Sequence, residues 1–297
     1  MITPDTVFVV IRFAFDLAVL FLWGSAAYLR FLVQSDLRAQ IWSRIRWARI
    51  ASVFAVLVAA ILTLPVRSAM LGNGWQDAID PQTIMDIVAA TSIGSAWLYQ
   101  LVGAVALFAC SVFATGNAAI FVTALVSAFL IAGLTMIGHA AMNSGWIGTF
   151  QQVNDTTHML AAGAWLGSLL PVAIILGLMR KPPLVDHARR ALMRFSNAGH
   201  IAVIVVVLSG AVNTILILGG FPLDWSQPYQ LLLAAKIMLV GLMIVIAIVN
   251  RYYIVPRITS SRSAESAVKV ATVTEFGLAI TVVALVACFG MLEPTAA

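Results

Sequence analysis

Charge is scarce in this chain. Asp, Glu, Lys and Arg make up 10% of its 297 residues, against 62% hydrophobic, and the mean hydropathy is +1.00. A soluble globule keeps its apolar share at about 45–50%, so this composition excludes one. Cysteine is scarce too, with Cys110 and Cys288 the two present. They are expected toward opposite membrane faces, too far apart to bridge, so a disulfide scaffold is excluded and both read as small buried hydrophobes. No linker, low-complexity run or extramembrane domain interrupts residues 1–297, which read as a single integral membrane domain. The lack of a convincing internal repeat weighs against an inverted-repeat transporter.

Apolar stretches of roughly 20 residues or more fill the chain instead, long enough to cross about 30 Å of hydrocarbon at 1.5 Å per residue. About eight are legible, near 7–31, 50–71, 92–114, 117–141, 153–179, 197–219, 229–250 and 270–292. Lipid offers backbone groups no outside partner, so each is expected to be a helix. The fold class is therefore an all-α polytopic membrane protein, a bundle of about eight transmembrane helices. The first stretch lacks a basic leader and a clear cleavage site, and is read as a retained helix.

Basic residues gather in alternate loops: Arg38, Arg44, Arg46 and Arg49; then Arg180, Lys181, Arg189, Arg190 and Arg194; then Arg251, Arg257, Arg262 and Lys269. Basic loops stay in the cytoplasm, which places both termini on the periplasmic side. The alternate loops are acidic or short, with Asp77, Asp80 and Asp86 in one and Asp224 in another. The net charge of +5 thus reflects topology rather than nucleic-acid binding. The longest outer loop, from Gly72, is too short to fold alone, so a periplasmic metal-binding domain is expected as a separate polypeptide.

The fourth and fifth stretches carry His139, Asp155 and His158 at their facing ends, with Met136, Met142 and Met159 beside them. Imidazole and thioether together favour a late transition metal, copper in particular, over magnesium or calcium. If these stretches are antiparallel helices joined near residues 143–152, His139 lies at the outer boundary. His158 then sits about one and a half turns below, within reach of the same ion. Met136, His139 and Met142 recur every three residues and fan over about a third of the fourth helix. Asp155 and His158 share a face with Trp165, and Asp155 either binds metal or orients the imidazole. The plainer alternative is a pair of hydrogen-bonding helix-end histidines among methionines that merely pack. His187 lies in a basic loop, and His200, at the cytoplasmic start of the sixth helix, is a candidate inner-side exit ligand.

Ionisable groups within the bilayer cost about 2.5–3.5 kcal/mol each and call for a reason. Arg12 and Asp16 are one turn apart and can pair within their helix. Lys236 is expected about 10 Å below the outer end of the seventh helix, in a layer with Arg12, Asp16 and His158. That layer is either a polar transport path or gate, or a structural charge network. Arg67 either joins it or snorkels outward. Glu275 is expected to pair with Arg251.

The run Gly138-His139-Ala140, followed by Asp155-x-x-His158 and by Trp165-Leu166-Gly167 ending at Leu170-Pro171, resembles the signature of the CopD/PcoD family of bacterial copper-resistance inner-membrane proteins. The resemblance continues in order through Arg194-Phe195-Ser196, Ser209-Gly210-Ala211-Val212-Asn213, Leu232-Leu233-Ala234-Ala235-Lys236, Asn250-Arg251, and Glu275 with Pro294. It is strongest over residues 138–275. It implies an eight-helix plasma-membrane protein acting with a periplasmic CopC-type copper-binding partner in copper uptake or tolerance. Ser168 stands where many relatives carry a second glycine, and no CopC-like domain is read within these residues, so copper delivery is expected to need a partner.

The reading is a copper homeostasis and resistance protein that receives copper at a periplasmic-side His/Met site and transports it across the inner membrane. Mixed His and Met ligation suits Cu(I), and His with Asp suits Cu(II), which leaves the oxidation state open. No Ser is paired with a base at catalytic spacing, so an enzyme is not expected. The rival is an electron-transfer protein binding b-type haem through paired histidines.

Overall fold

A computed structural model of the chain describes residues 2–179, 184–255 and 262–294. Arg180, Lys181 and Arg257 of the basic loops lie outside them. Among the described residues there are helices and turns and no strand. The helices are α1 (Pro4–Leu32), α2 (Ser35–Arg44), α3 (Arg46–Leu71), α4 (Pro81–Ala90), α5 (Ser92–Phe113) and α6 (Gly116–Gly133). After them come α7 (Gly145–Leu166), α8 (Leu169–Leu176), α9 (Val185–Leu218), α10 (Pro228–Val249) and α11 (Arg262–Phe289). Among the described residues, eight segments are long and apolar enough to cross a membrane: α1, α3, α5, α6 with its following turn, α7 continued by α8, α9, α10 with its following π turn, and α11. The expected all-α polytopic class is what the structure shows.

Two helices fall in expected loops. α2 is a short amphipathic helix that buries Leu37, Ile41 and Trp42. Arg38 ties it down, donating to the Val33 carbonyl (2.9 Å) and to Asn117 Oδ1 (2.9 Å). The Arg49 guanidinium lies 3.6 Å from the Trp42 ring centre, a cation–π contact that keeps the charge on the bundle surface. α4 starts at Pro81, with Asp80 as its cap accepting from the Thr83 N–H (2.8 Å) and hydroxyl (2.7 Å). These bonds favour the charged carboxylate and hold Asp80 below its ordinary pKa.

α1 runs through the middle of the bundle, packed against α3, α6, α7 and α11. Its buried Phe8, Phe15, Val19 and Leu22 meet Val56, Leu107 and Leu130 in one apolar cluster. Its crossing with α7 is closer than side chains permit. A Cβ at Gly24 would fall 2.7 Å from the Gly167 Cα, and one at Gly167 would fall 3.0 Å from the Gly24 Cα. Small residues at such a crossing let two backbones touch where lipid supplies no hydrophobic drive. Two hydrogen bonds fix the register, from Trp23 Nε1 to the Leu160 carbonyl (2.8 Å) and from Ser25 Oγ to the Gly167 carbonyl (2.8 Å). Ser168, buried, donates back to the Ala164 carbonyl at 2.7 Å, so its hydroxyl is satisfied within its own helix.

Candidate functional site

The candidate site lies at the end of the bundle where α1 begins and α11 ends. α6 stops at Gly133, and the chain continues through two tight turns, Leu134–Met136 and Gly138–Ala141. Gly138 has φ +73°, a left-handed conformation that glycine adopts without steric cost and that halts a helix. The expected fourth helix through Ala141 is corrected accordingly: Met136, His139 and Met142 lie on a turn rather than on a helical stripe.

Side chains hold that turn. Gln151 Nε2 donates to the His139 carbonyl (2.7 Å), and Asn143 Nδ2 donates to Gln151 Oε1 (2.6 Å). The His139 ring meets Tyr229 edge-on, with centroids 5.1 Å apart. Its Nε2 is buried and has no hydrogen-bond partner among the described residues. Burial first, then the Arg12 guanidinium, push its pKa below the ordinary 6.5, against the pull of the Leu292 and Phe289 carbonyls. The imidazole is therefore neutral near pH 7, the form that binds metals.

α7 begins at Gly145 rather than near residue 153. Asp155 and His158 consequently lie roughly 15 and 20 Å along the helix axis from its first residue, deeper than expected. His158 faces α9, with Nδ1 3.1 Å from the Val206 carbonyl and 3.0 Å from Ser209 Oγ. A carbonyl oxygen can only accept, so Nδ1 carries the proton and Nε2 keeps its lone pair. The Ser209 hydroxyl hydrogen points to the Val205 carbonyl (2.5 Å), which leaves its oxygen free to accept from His158. Gly210 makes room for the ring, since a Cβ there would sit 3.2 Å from His158 Cε1.

One turn before His158, Asp155 Oδ1 accepts from Asn213 Nδ2 (2.8 Å). Asn154 Nδ2 donates both to Asn213 Oδ1 (2.7 Å) and to the Ser209 carbonyl (2.9 Å). Lys236, Arg12 and Tyr229 all interact electrostatically with Asp155, and the Lys236 ammonium lies 5.8 Å from the Phe289 ring centre. Asp16 pairs with Arg12 (3.7 Å) as its spacing requires, and its Oδ1 is buried without a hydrogen-bond partner. The expected layer of Asp16 with Lys236 thus resolves into an Arg12–Asp16 pair and a field centred on Asp155.

His139 and His158 have separate surroundings. His139 faces Tyr229 and the segment Gly290–Pro294 across one pocket, while His158 faces α9. Among the described residues no three His, Cys, Asp or Glu side chains gather to hold an ion, so a metal here needs sulfur ligands or an incomplete protein shell. Of the methionines, Met142 lines the His139 pocket, Met136 is exposed on its turn, and Met159 packs against the apolar α1 cluster. Trp165 packs among Met243, Ala279 and Val282.

At the opposite end His200 is exposed, with Nδ1 2.7 Å from the Ser196 carbonyl and Nε2 3.1 Å from the Tyr252 hydroxyl. Arg251 donates to Ser196 Oγ and to Asn197 Oδ1 (3.0 Å for the latter), with both guanidinium nitrogens turned toward α9 rather than to Glu275. Arg67 stacks over Phe8 at 3.9 Å.

Asn154, Ser209, Asn213 and Tyr229 were not singled out from sequence as site residues. The available signal was Ser209 and Asn213, two polar residues one turn apart in an apolar segment.

Residues 1–149 match the family model described as copper resistance protein D-like, N-terminal domain, and residues 189–289 match the one described as copper resistance protein D. The chain is 33% identical to the inner membrane protein YebZ of Escherichia coli, over 96% of this chain and 98% of that protein. It is 30% identical to the copper resistance protein D of Pseudomonas syringae, covering 82% of each. It is 26% identical to the copper transport protein CutJ of Bacillus subtilis, over 71% of this chain and 40% of that one. Among solved structures, the bd oxidase of Geobacillus thermodenitrificans has a similar fold, with a TM-score of 0.55 at 9% identity over 98% of this chain and 87% of that one.

Proposed function

The chain belongs to the copper resistance protein D family, and from that premise we propose that it is a multi-pass inner-membrane protein that takes copper from the periplasmic side. Copper is received at His139 and passes down the bundle toward His158 and Asp155. Both termini then face the periplasm, where a separate CopC-type protein delivers the metal. Copper here is cargo, and no chemistry on another substrate is required.

The observation that carries this reading is the commitment of His158. Its Nδ1–H is held by a backbone carbonyl, the arrangement by which proteins fix a ligating imidazole. Its hydrogen bonds among the described residues are made by Nδ1 alone, and Asp155 lies one helical turn before it. Asp155, held by Asn213, supplies negative charge that offsets the desolvation of a cation within the membrane. Arg12 and Lys236 balance that carboxylate while the site is empty.

Copper bound to purified protein and copper accumulated by cells test the proposal together. His158→Ala and Asp155→Asn are each expected to fold, to bind less copper and to lower accumulation, with His187→Ala as the unchanged control. Normal copper content and accumulation in both variants would overturn the proposal, as would a Soret band with stoichiometric iron in the wild type. A periplasm-active reporter fused at the C-terminus should be active, and the same reporter in the loop preceding α9 should be silent.

A further inference from the structure

The pocket beside His139 has a wall that the sequence did not suggest. It encloses about 420 Å³ and is lined by His139, Met142, Gly290, Met291, Leu292, Glu293 and Pro294. Two methionines thus line it from distant parts of the chain, Met142 from the turn after α6 and Met291 from the segment after α11. Met142 is 53% exposed. Met291 is half-buried against the α1 cluster.

The segment carrying Met291 is fixed in place. Gly290 N donates to the Val286 carbonyl (3.0 Å) and Leu292 N to that of Phe289 (3.0 Å). The Arg12 guanidinium packs so closely on Gly290 that a Cβ there would fall 2.7 Å from its central carbon. His139 lines the same pocket, and its buried Nε2 has no hydrogen-bond partner among the described residues. A buried ring nitrogen without a partner costs stability unless something occupies it.

We propose that this pocket is an entry site for a soft monovalent cation, Cu(I) or its surrogate Ag(I), ligated by His139 Nε2 and the thioethers of Met142 and Met291. The proposal rests on the reading of His139 as a copper ligand and adds the C-terminal segment and the oxidation state. Two thioethers and one imidazole form a soft donor set that suits Cu(I) and leaves a hard divalent ion poorly held. The Arg12 charge acts in the same direction. Coulomb repulsion is proportional to the ion's charge, so the guanidinium opposes a divalent cation twice as strongly as a monovalent one at equal distance. Glu293, exposed at the rim, attracts cations to the mouth without having to bind one.

Ag(I) titration of the full chain in detergent, with sulfur scattering in X-ray absorption of the silver-loaded protein, tests the site. Met142→Leu and Met291→Leu conserve volume, so folding should be retained. Each is expected to weaken one Ag(I) equivalent by about tenfold or more, and the double variant should lose that equivalent and its sulfur shell. His158→Ala should keep it. Wild-type Ag(I) affinity in the double variant, or a bound ion with nitrogen and oxygen neighbours alone, overturns the proposal. If His139→Ala then still removes one copper equivalent, the wider reading of the protein stands; if His139→Ala and His158→Ala both leave copper binding intact, that reading falls as well.

Discussion

The region before α7 and the region after it are built on different terms. In α1 half of the most apolar window is buried, 50%, whereas in α9 and in α10 the share is 11%. α1 is walled in by protein on most sides, while few residues of α9 and α10 are fully buried. Yet the polar contacts run the other way: Ser209 and Asn213 of α9 and Lys236 of α10 supply much of the network around α7. The polar network around α7 thus draws on inward-facing positions of the least buried helices, where hydrogen bonds and a paired charge substitute for absent apolar contact.

Glycine substitutions break this comparison with the largest expected effect. Gly24→Val or Gly167→Val drives a side chain into backbone that cannot yield. Overpacking of this kind should cost about 3 kcal/mol or more and prevent recovery of monodisperse protein on size exclusion. Gly241→Ala and Gly277→Ala, where an added Cβ meets nothing within 4 Å, are expected to raise thermal stability slightly, by up to about 1 kcal/mol. Equal tolerance in both regions would dissolve the contrast.

Asn213→Leu comes next. It removes the donor to Asp155 and one of the two acceptors of Asn154, so a loss of about 1–3 kcal/mol is expected, with copper affinity lowered about 10–100-fold. Calorimetry and metal titration read the two separately.

The charge assignment gives a finer test. In double-mutant cycles on thermal unfolding, Lys236→Met should couple to Asp155→Asn more strongly than to Asp16→Asn, by about 0.5 kcal/mol or more. The reverse order would restore the pairing of Asp16 with Lys236 expected from their depth along the sequence.

Ser209→Ala should have the smallest effect, below about 1 kcal/mol, because the Val206 carbonyl still holds His158 Nδ1. Retained copper stoichiometry with a modest loss of affinity is the expected result, and complete loss would mean that the serine is itself a ligand.

Much of the fold was legible because span length and hydropathy are local properties. The Arg12–Asp16 pair was legible for the same reason, being four residues apart on one helix. The turn around His139 was not: Leu134 to Met142 reads as a continuing apolar helix, and Gly138 was its main warning. α2 and α4, short and partly polar, were hidden in loops. The partners of Lys236 and His158 lay beyond reach, since each is fixed by how α7, α9 and α10 rotate against one another. Legible pattern and hidden partner meet at Ser209-Gly210 and Asn213, where the spacing was visible and the roles required the packed imidazole.

The bare crossing of α1 and α7 has a mechanical corollary. With no side chains in between, contact radii of backbone atoms set the least separation of the two helices, and the hydrogen bonds from Trp23 and Ser25 hold them at it. The crossing acts as a pin: changes in bilayer thickness or tension swing the two helices about it more readily than they part them. Under the proposed passage of copper, the accompanying motions fall to side chains and to α9 and α10, and distance measurements between labels on α1 and α7 should stay invariant while those reaching α10 vary with load.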